Sequence, residues 1–137
     1  MDPLEKILPQ LDVWVPSFNE AKNQTGHVDP AKIIATYRSC GAPGLLGVKL
    51  GRDGVLLSPK DGSFLEIGVA KPPGEVIDTT GAGDAFYAGL LTGLLKGMAV
   101  EDAGKLGAGA AACCCTSVGG STGGRDYAST TKVAGLA

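Results

Sequence analysis

The feature that most constrains the fold of this chain is a glycine-rich loop, IDTTGAGDAF at residues 77–86, which runs directly into a helical pattern over 82–96. Small residues recur at every fourth position of that pattern, at Ala85, Gly89, Gly93 and Gly97. A second helical pattern, over 100–116, carries small residues at Gly104, Ala108, Ala111 and Ala112. Because a glycine inside a helix costs about 1 kcal/mol relative to alanine, these series indicate close packing. We therefore expect the axes of the two helices to approach closely.

Strands and helices alternate along the rest of the chain. Short apolar runs predict strands at 13–15, 45–50, 55–58 and 64–69, and helical patterns occupy 2–8, 19–25 and 30–39. Tight turns at 51–54 and 60–62 connect three of the strands into a β-meander. The alternation is typical of an α/β fold with a mostly parallel sheet. Beyond about Tyr127 we expect a flexible tail over 127–137, which leaves 1–126 as the folded domain.

The composition argues against several classes of protein. The chain has 44% hydrophobic and 19% charged residues, which is typical of a soluble globular domain rather than a disordered one. Its net charge of −2, without a run of Lys or Arg, argues against nucleic acid or an anionic membrane surface as the main partner. No apolar run reaches the ~18 residues of a transmembrane helix, so the expected location is the cytoplasm.

The thiol and imidazole side chains form no pattern typical of a metal or redox site. Cys113, Cys114 and Cys115 are consecutive and would point in three directions on a helix, while Cys40 stands alone and no CxxC occurs. We expect these thiols to be reduced and buried. His27 is the only histidine and is expected in a surface loop.

The glycine-rich loop can hold a phosphate. Gly81, Ala82 and Gly83 have almost no side chain where a helix is predicted to begin, so unpaired amides and the positive end of the helix dipole are accessible to an anion. Asp84, at the edge of this anion hole, could accept the proton of a substrate hydroxyl as its oxygen attacks phosphorus. Asp78 and the Thr80 carbonyl could hold a cation beside the loop.

A structural interpretation of the same loop is open at this point. Asp78 or Thr79 could cap the helix, Asp84 could decorate its first turn, and the glycines could simply form a turn. A dinucleotide-binding loop is disfavoured, because the spacing GAGDAF does not match GxGxxG.

Three stretches resemble one family. VIDTTGAGDAFYAGLL, at 76–91, resembles the C-terminal signature of the PfkB (ribokinase-like) carbohydrate kinases. VPSFNEAKNQTG, at 15–26, and GVKLGRDGVLL, at 47–57, resemble two upstream family segments in the same order. The resemblance covers about 11–123 and implies the C-terminal half of a ribokinase-like three-layer α/β/α sandwich, acting with ATP and Mg²⁺ on a sugar.

The resemblance also implies roles for individual residues. Asp84 falls on the catalytic base, and the backbone of Gly81, Ala82 and Gly83 falls on the anion hole. Glu20 falls on the acidic residue that organises Mg²⁺ and phosphates through water. The residues implied beside the nucleotide are Glu20, Lys49, Gly51, Gly54, Thr80 and Gly109. The residues implied at a monovalent-cation site, which would take K⁺, are Asp78, Thr80, Ser117 and Gly119, with a further carbonyl near Cys114.

The chain departs from the family pattern in several places. Ser17 stands where many members have Asn, Ala108 where some place Asn near adenine, and Gly123 where some have a cation-ligating Ser. The last departure weakens the expectation of cation activation. The largest departure is length, because nothing corresponds to the family's N-terminal half with its sugar pocket and β-stranded lid.

Three hypotheses follow. In the first, the chain is the C-terminal part of an ATP-dependent sugar kinase that is a homodimer when intact. Alternatively, it is a nucleotide- or phosphate-binding module without catalysis. As a third possibility it is an inactive fragment, whose exposed strand edges and apolar face would make it self-associate.

Overall fold

The computed structural model describes residues 2–137. The chain forms two compact units, the first ending at Glu66 and the second beginning at Ile67. Helices and strands both occur, so the predicted α/β class is confirmed. Across residues 2–137, no helix combines the length and the apolar character that crossing a bilayer requires.

The first unit contains most of the sheet. Its elements in chain order are α1 (Asp2–Ile7), β1 (Val13–Trp14), α2 (Phe18–Thr25), α3 (Pro30–Ser39), β2 (Leu45–Lys49), β3 (Val55–Ser58) and β4 (Leu65–Ile67), whose last residue opens the second unit. The strand order is β1-β2-β3-β4, so β2, β3 and β4 form the predicted meander. β1 pairs in parallel with β2, and β2 pairs antiparallel with β3, which makes the sheet mixed.

Local sequence explains where the helices of this unit begin. The Ser17 hydroxyl caps α2, and the Asp29 carboxylate accepts a hydrogen bond from the Ala31 amide at the start of α3. Both helices then contribute buried side chains to a core that also contains residues of β2 and of the connections that follow α1 and α3. The core residues are Leu8, Ala21, Ile33, Ile34, Tyr37, Ala42, Leu46 and Val48.

Arg38, at the end of α3, ties the helix to two strands. Its Nη1 donates to the carbonyls of Ala42 and Gly44 at 3.0 and 2.8 Å. Its Nη2 donates to the carbonyls of Ser58 and Pro59 at 3.2 and 3.1 Å. One guanidinium therefore satisfies acceptors just before β2 and at the end of β3, and we call this arrangement the Arg38 clamp.

The second unit is helical and consists mainly of α4 (Ala82–Leu95) packed against α5 (Val100–Cys114). A Cβ built on Gly89 would lie 2.7 Å from Gly107 Cα, and one built on Gly93 would lie 2.7 Å from Ala103 Cα. The predicted close approach of the two helices is therefore confirmed. The α5 residues that lie against these two glycines are Gly107 and Ala103.

The prediction of a flexible tail from about Tyr127 is wrong. Residues Tyr127–Val133 form α6, and the Asp126 carboxylate caps its start by accepting from the Ser129 amide at 2.7 Å. Thr130 is buried, and a Cβ on Gly109 of α5 would lie 2.8 Å from Ala134 Cβ. Packing against α5 thus stabilises a helix whose Ser- and Thr-rich sequence has low intrinsic propensity.

The predicted environments of the cysteines and the histidine are largely confirmed. Cys113 and Cys114 are buried and Cys40 and Cys115 are partly buried, and all four are free thiols. His27 is exposed in the connection between α2 and α3.

Candidate active site

The loop over residues 78–83 ends in an unusual helix start. Gly81 is the N-cap of α4 and has φ of 78°, a left-handed conformation that strongly favours glycine. The N-cap is a glycine without a side chain, so the structural interpretation in which Asp78 or Thr79 is the N-cap residue is wrong. The small residues at 81–83 allow an anion to approach the backbone at this helix start closely.

Asp78 joins this loop to the segment that follows α5. Its Oδ1 accepts from the Thr80 amide at 2.9 Å, and its Oδ2 accepts from the Gly119 amide at 3.0 Å. The Gly119 amide is the main cause that lowers the pKa of Asp78, and Thr80 adds to it. Asp78 is thus held as a carboxylate between two loops that are far apart in sequence.

Two further contacts hold the same two loops together. The Cys114 thiol lies 3.5 Å from the Thr80 carbonyl oxygen and 3.3 Å from the Gly120 carbonyl oxygen. A Cβ on Gly81 would lie 2.5 Å from the Gly120 oxygen, so the two backbones are in direct contact. Burial raises the pKa of the Cys114 thiol, which keeps the group protonated at neutral pH.

Asp84 lies in the first turn of α4 with its side chain exposed. The third position of the helix places its carboxylate beside the amides of the N-terminus. The predicted catalytic residues are therefore together: Asp84 and the backbone at 81–83 share one helix start.

The predicted cation ligands lie on the two loops that Asp78 joins. Thr80 belongs to the first loop, and Ser117 and Gly119 belong to the second, where Gly119 has φ of 101°. Their proposed donors are a carboxylate and carbonyl oxygens, the ligand type that hard cations prefer. No side-chain cluster of three or more His, Cys, Asp or Glu occurs within residues 2–137. The monovalent-cation site stays a prediction.

A separate group of predicted residues lies in the first unit, around Glu20. The Glu20 Oε2 accepts from the Ser17 amide at 2.8 Å and from its hydroxyl at 2.7 Å, and the Glu20 amide donates to Ser17 Oγ at 3.4 Å. These bonds form a capping box at the start of α2. The Ser17 hydroxyl is the main cause that lowers the pKa of Glu20, and the charge of Lys49 makes a smaller contribution. The S-x-x-E spacing could have predicted this box.

Lys49 and two glycines flank a tight connection between β2 and β3. Lys49 pairs in parallel with Ser17 and donates its amide to the Pro16 carbonyl at 2.9 Å. Gly51 and Gly54 have φ of 61° and 85° at the two ends of a 3₁₀ turn. The predicted Gly109, by contrast, is buried on α5 against α6. For all of these residues, contact with a nucleotide stays a prediction.

Comparison with known proteins identifies the family. Residues 1–126 match the sequence profile of the pfkB family carbohydrate kinases. An uncharacterised sugar kinase of Archaeoglobus fulgidus is 43% identical over 110 residues, covering 76% of this chain and 40% of the relative. An ATP-dependent 6-phosphofructokinase of Thermoanaerobacterium thermosaccharolyticum is 32% identical over 104 residues, covering 76% of this chain and 31% of the relative.

A solved structure supports the same family. The structure of Arabidopsis thaliana ribokinase complexed with ribose and ATP superposes with a TM-score of 0.86 at 25% identity, covering 95% of this chain and 43% of the ribokinase. The chain therefore belongs to the pfkB family of carbohydrate kinases and has part of the ribokinase fold. It spans between 31% and 43% of the length of these three proteins.

Proposed function

We propose that the protein containing this chain is an ATP-dependent carbohydrate kinase that transfers the γ-phosphoryl group to a hydroxyl of a small sugar. The observation that carries this proposal is the start of α4. A glycine in the left-handed conformation opens the helix, and an exposed carboxylate, Asp84, follows three residues later. Family membership supplies the reaction class.

The proposed mechanism assigns one task to each part of that helix start. The backbone over 81–83, together with the helix dipole, stabilises negative charge on the transferring phosphoryl group. The Asp84 carboxylate accepts the proton of the acceptor hydroxyl while that oxygen forms its bond to the γ-phosphorus. The bond from the γ-phosphorus to the bridging oxygen breaks, and ADP leaves with its electron pair.

The residues of the first unit fit a role near a hydrated magnesium ion. Both described bonds to the Glu20 carboxylate fall on Oε2, so Oε1 can accept from a metal-bound water. Bound Mg²⁺ would neutralise charge on the phosphates. A bound K⁺ would be held by the Asp78 carboxylate and by the backbone carbonyls of Thr80, Ser117 and Gly119.

The test compares two matched aspartates in the full-length natural protein. Asp84 and Asp102 are each the third residue of their helix, α4 and α5 respectively. Asp84→Asn should lower kcat by about 10²–10⁴-fold, the usual contribution of a general base, with little change in the KM for ATP. Asp102→Asn should leave kcat within twofold. Near-full turnover in Asp84→Asn, measured as ADP formation over a panel of sugars and nucleosides, would refute the proposal.

A second candidate is a nucleotide-binding module without catalysis. The observation in its favour is that the chain spans less than half of each of the three proteins compared above, so the residues that bind an acceptor can lie elsewhere. Saturable ATP binding without phosphoryl transfer to any acceptor of the panel would favour it. Activity on the same panel of sugars and nucleosides would identify the acceptor.

A further inference from the structure

The most informative group outside the proposed chemistry is the Cys114 thiol. It is 1% exposed, and its sulfur is within hydrogen-bond distance of the carbonyl oxygens of Thr80 and Gly120. These two carbonyls belong to different loops, one before α4 and one after α5. A thiol has one proton, so it donates to one carbonyl at a time and lies between both.

The Thr80 carbonyl matters because of the peptide it belongs to. The Thr80 C=O and the Gly81 N–H are parts of one planar trans peptide, so they point in opposite directions. A donor that holds the carbonyl toward α5 also fixes the direction of the Gly81 amide. That amide opens the backbone segment that is proposed to meet the phosphate.

Two independent contacts show that the loops meet at this point. The Asp78 carboxylate accepts from the Gly119 amide, and the Gly81 and Gly120 backbones are in contact. Neither contact reaches the Thr80 carbonyl itself. The Cys114 thiol lies within hydrogen-bond distance of that oxygen.

We propose that Cys114 is a positioning residue: its thiol fixes the Thr80–Gly81 peptide and thereby aims the Gly81 amide at the transferring phosphate. The role in catalysis rests on the proposed function, whereas the tie between the two loops does not. Cys114→Ala removes the donor, and Cys114→Ser restores a donor in a smaller side chain. Cys113→Ala is the matched control, because Cys113 is equally buried on α5 but lies near Arg125 and Thr130.

The first measurement is amide hydrogen exchange by NMR in the 137-residue chain, without any ligand. The reporters are the Thr80 and Gly119 amides, which both donate to Asp78. Since one hydrogen bond contributes about 0.5–1.5 kcal/mol, Cys114→Ala should accelerate their exchange roughly two- to tenfold. Cys114→Ser should recover most of the protection, and Cys113→Ala should stay within twofold of the parent. Equal exchange in Cys114→Ala and the parent, or equal acceleration in Cys113→Ala, would overturn the tie.

The second measurement uses the full-length natural protein, titrates ATP and follows the amide shifts of residues 81–83. Cys114→Ala should weaken ATP binding two- to tenfold, and Cys114→Ser should give an intermediate affinity. Unchanged ATP affinity in Cys114→Ala, despite faster exchange, would overturn the positioning role and leave the proposed kinase function intact. Absence of ATP-dependent shifts in the full-length parent would count against the proposed function and against the catalytic role of Cys114, while the exchange data would still decide whether the loops are tied.

Discussion

Replacing Gly89 by alanine sets helix propensity against packing, and the geometry of α4 and α5 decides between them. Propensity alone favours alanine by about 1 kcal/mol in a helix interior. The new Cβ, however, would stand 2.7 Å from Gly107 Cα and 2.9 Å from the Leu106 carbonyl oxygen. Ordinary carbon contacts lie at about 3.5–4.0 Å, so the helices would have to separate locally by roughly 1 Å.

The magnitude follows from which atoms collide. Both neighbours of the new Cβ are backbone atoms, so no side chain can change rotamer to make room. Overpacking costs about 1–3 kcal/mol in general, and the upper half of that range applies where only the backbone can yield. After the propensity gain is subtracted, Gly89→Ala should destabilise the second unit by about 1–2 kcal/mol.

The assay is urea unfolding of the purified chain, followed by circular dichroism at 222 nm and analysed for midpoint and slope. Ala88→Gly is the control, because Ala88 is the exposed neighbour on the same helix and should lose about 1 kcal/mol through propensity alone. A Gly89→Ala chain as stable as the parent, or more stable, would refute the reasoning, because it would mean that the two backbones are not in contact.

Three further outcomes are expected. Arg38→Met should keep the packing of the aliphatic part of the side chain but remove its hydrogen bonds to four carbonyls. It should lower the free energy of unfolding by about 2–4 kcal/mol in a urea titration, and Arg38→Lys should lower it by less. The lowered pKa of Glu20 means that its contribution to stability is present above its ordinary value of 4.5 and is lost as pH falls through the folded pKa. The stability gap between Glu20→Gln and the parent should therefore narrow as the pH falls, and a gap that stays constant from neutral pH into acid would contradict the capping box. The isolated chain should self-associate, since several large apolar side chains are exposed, and a monodisperse monomer at all concentrations in light scattering would count against this. The most exposed of these side chains are Val28, Val69, Ile77, Leu95 and Val118.

Local patterns predicted the elements well where one interaction dominates. The glycine-rich loop predicted where α4 begins, and the series of small residues along α4 predicted its close packing against α5. The meander was predictable because short turns leave adjacent strands few alternatives. On α5, small residues lie on more than one side of the helix, so the sequence did not single out Ala103 and Gly107 as the residues that lie against Gly93 and Gly89.

Contacts that join distant positions could not be read from spacing. Asp78 and Gly119 are 41 residues apart, and the Cys114 thiol reaches the Thr80 carbonyl across 34. Helix α6 depends on burial of Thr130 and on contact with α5, which its own composition does not reveal. The helix start carrying Asp84 was predicted from sequence, whereas the bonds that hold its loop in place required coordinates.

The Arg38 clamp has a consequence for how the chain responds to acid and salt. Its four acceptors are backbone carbonyls, which neither titrate nor attract counterions as a carboxylate does. The caps of α2, α3 and α6, by contrast, each use an acidic side chain. Acid strong enough to protonate Glu20 and Asp126, whose pKa values are both lowered by their capping hydrogen bonds, should therefore fray the starts of α2 and α6. The end of α3 should stay attached to the strands under the same conditions.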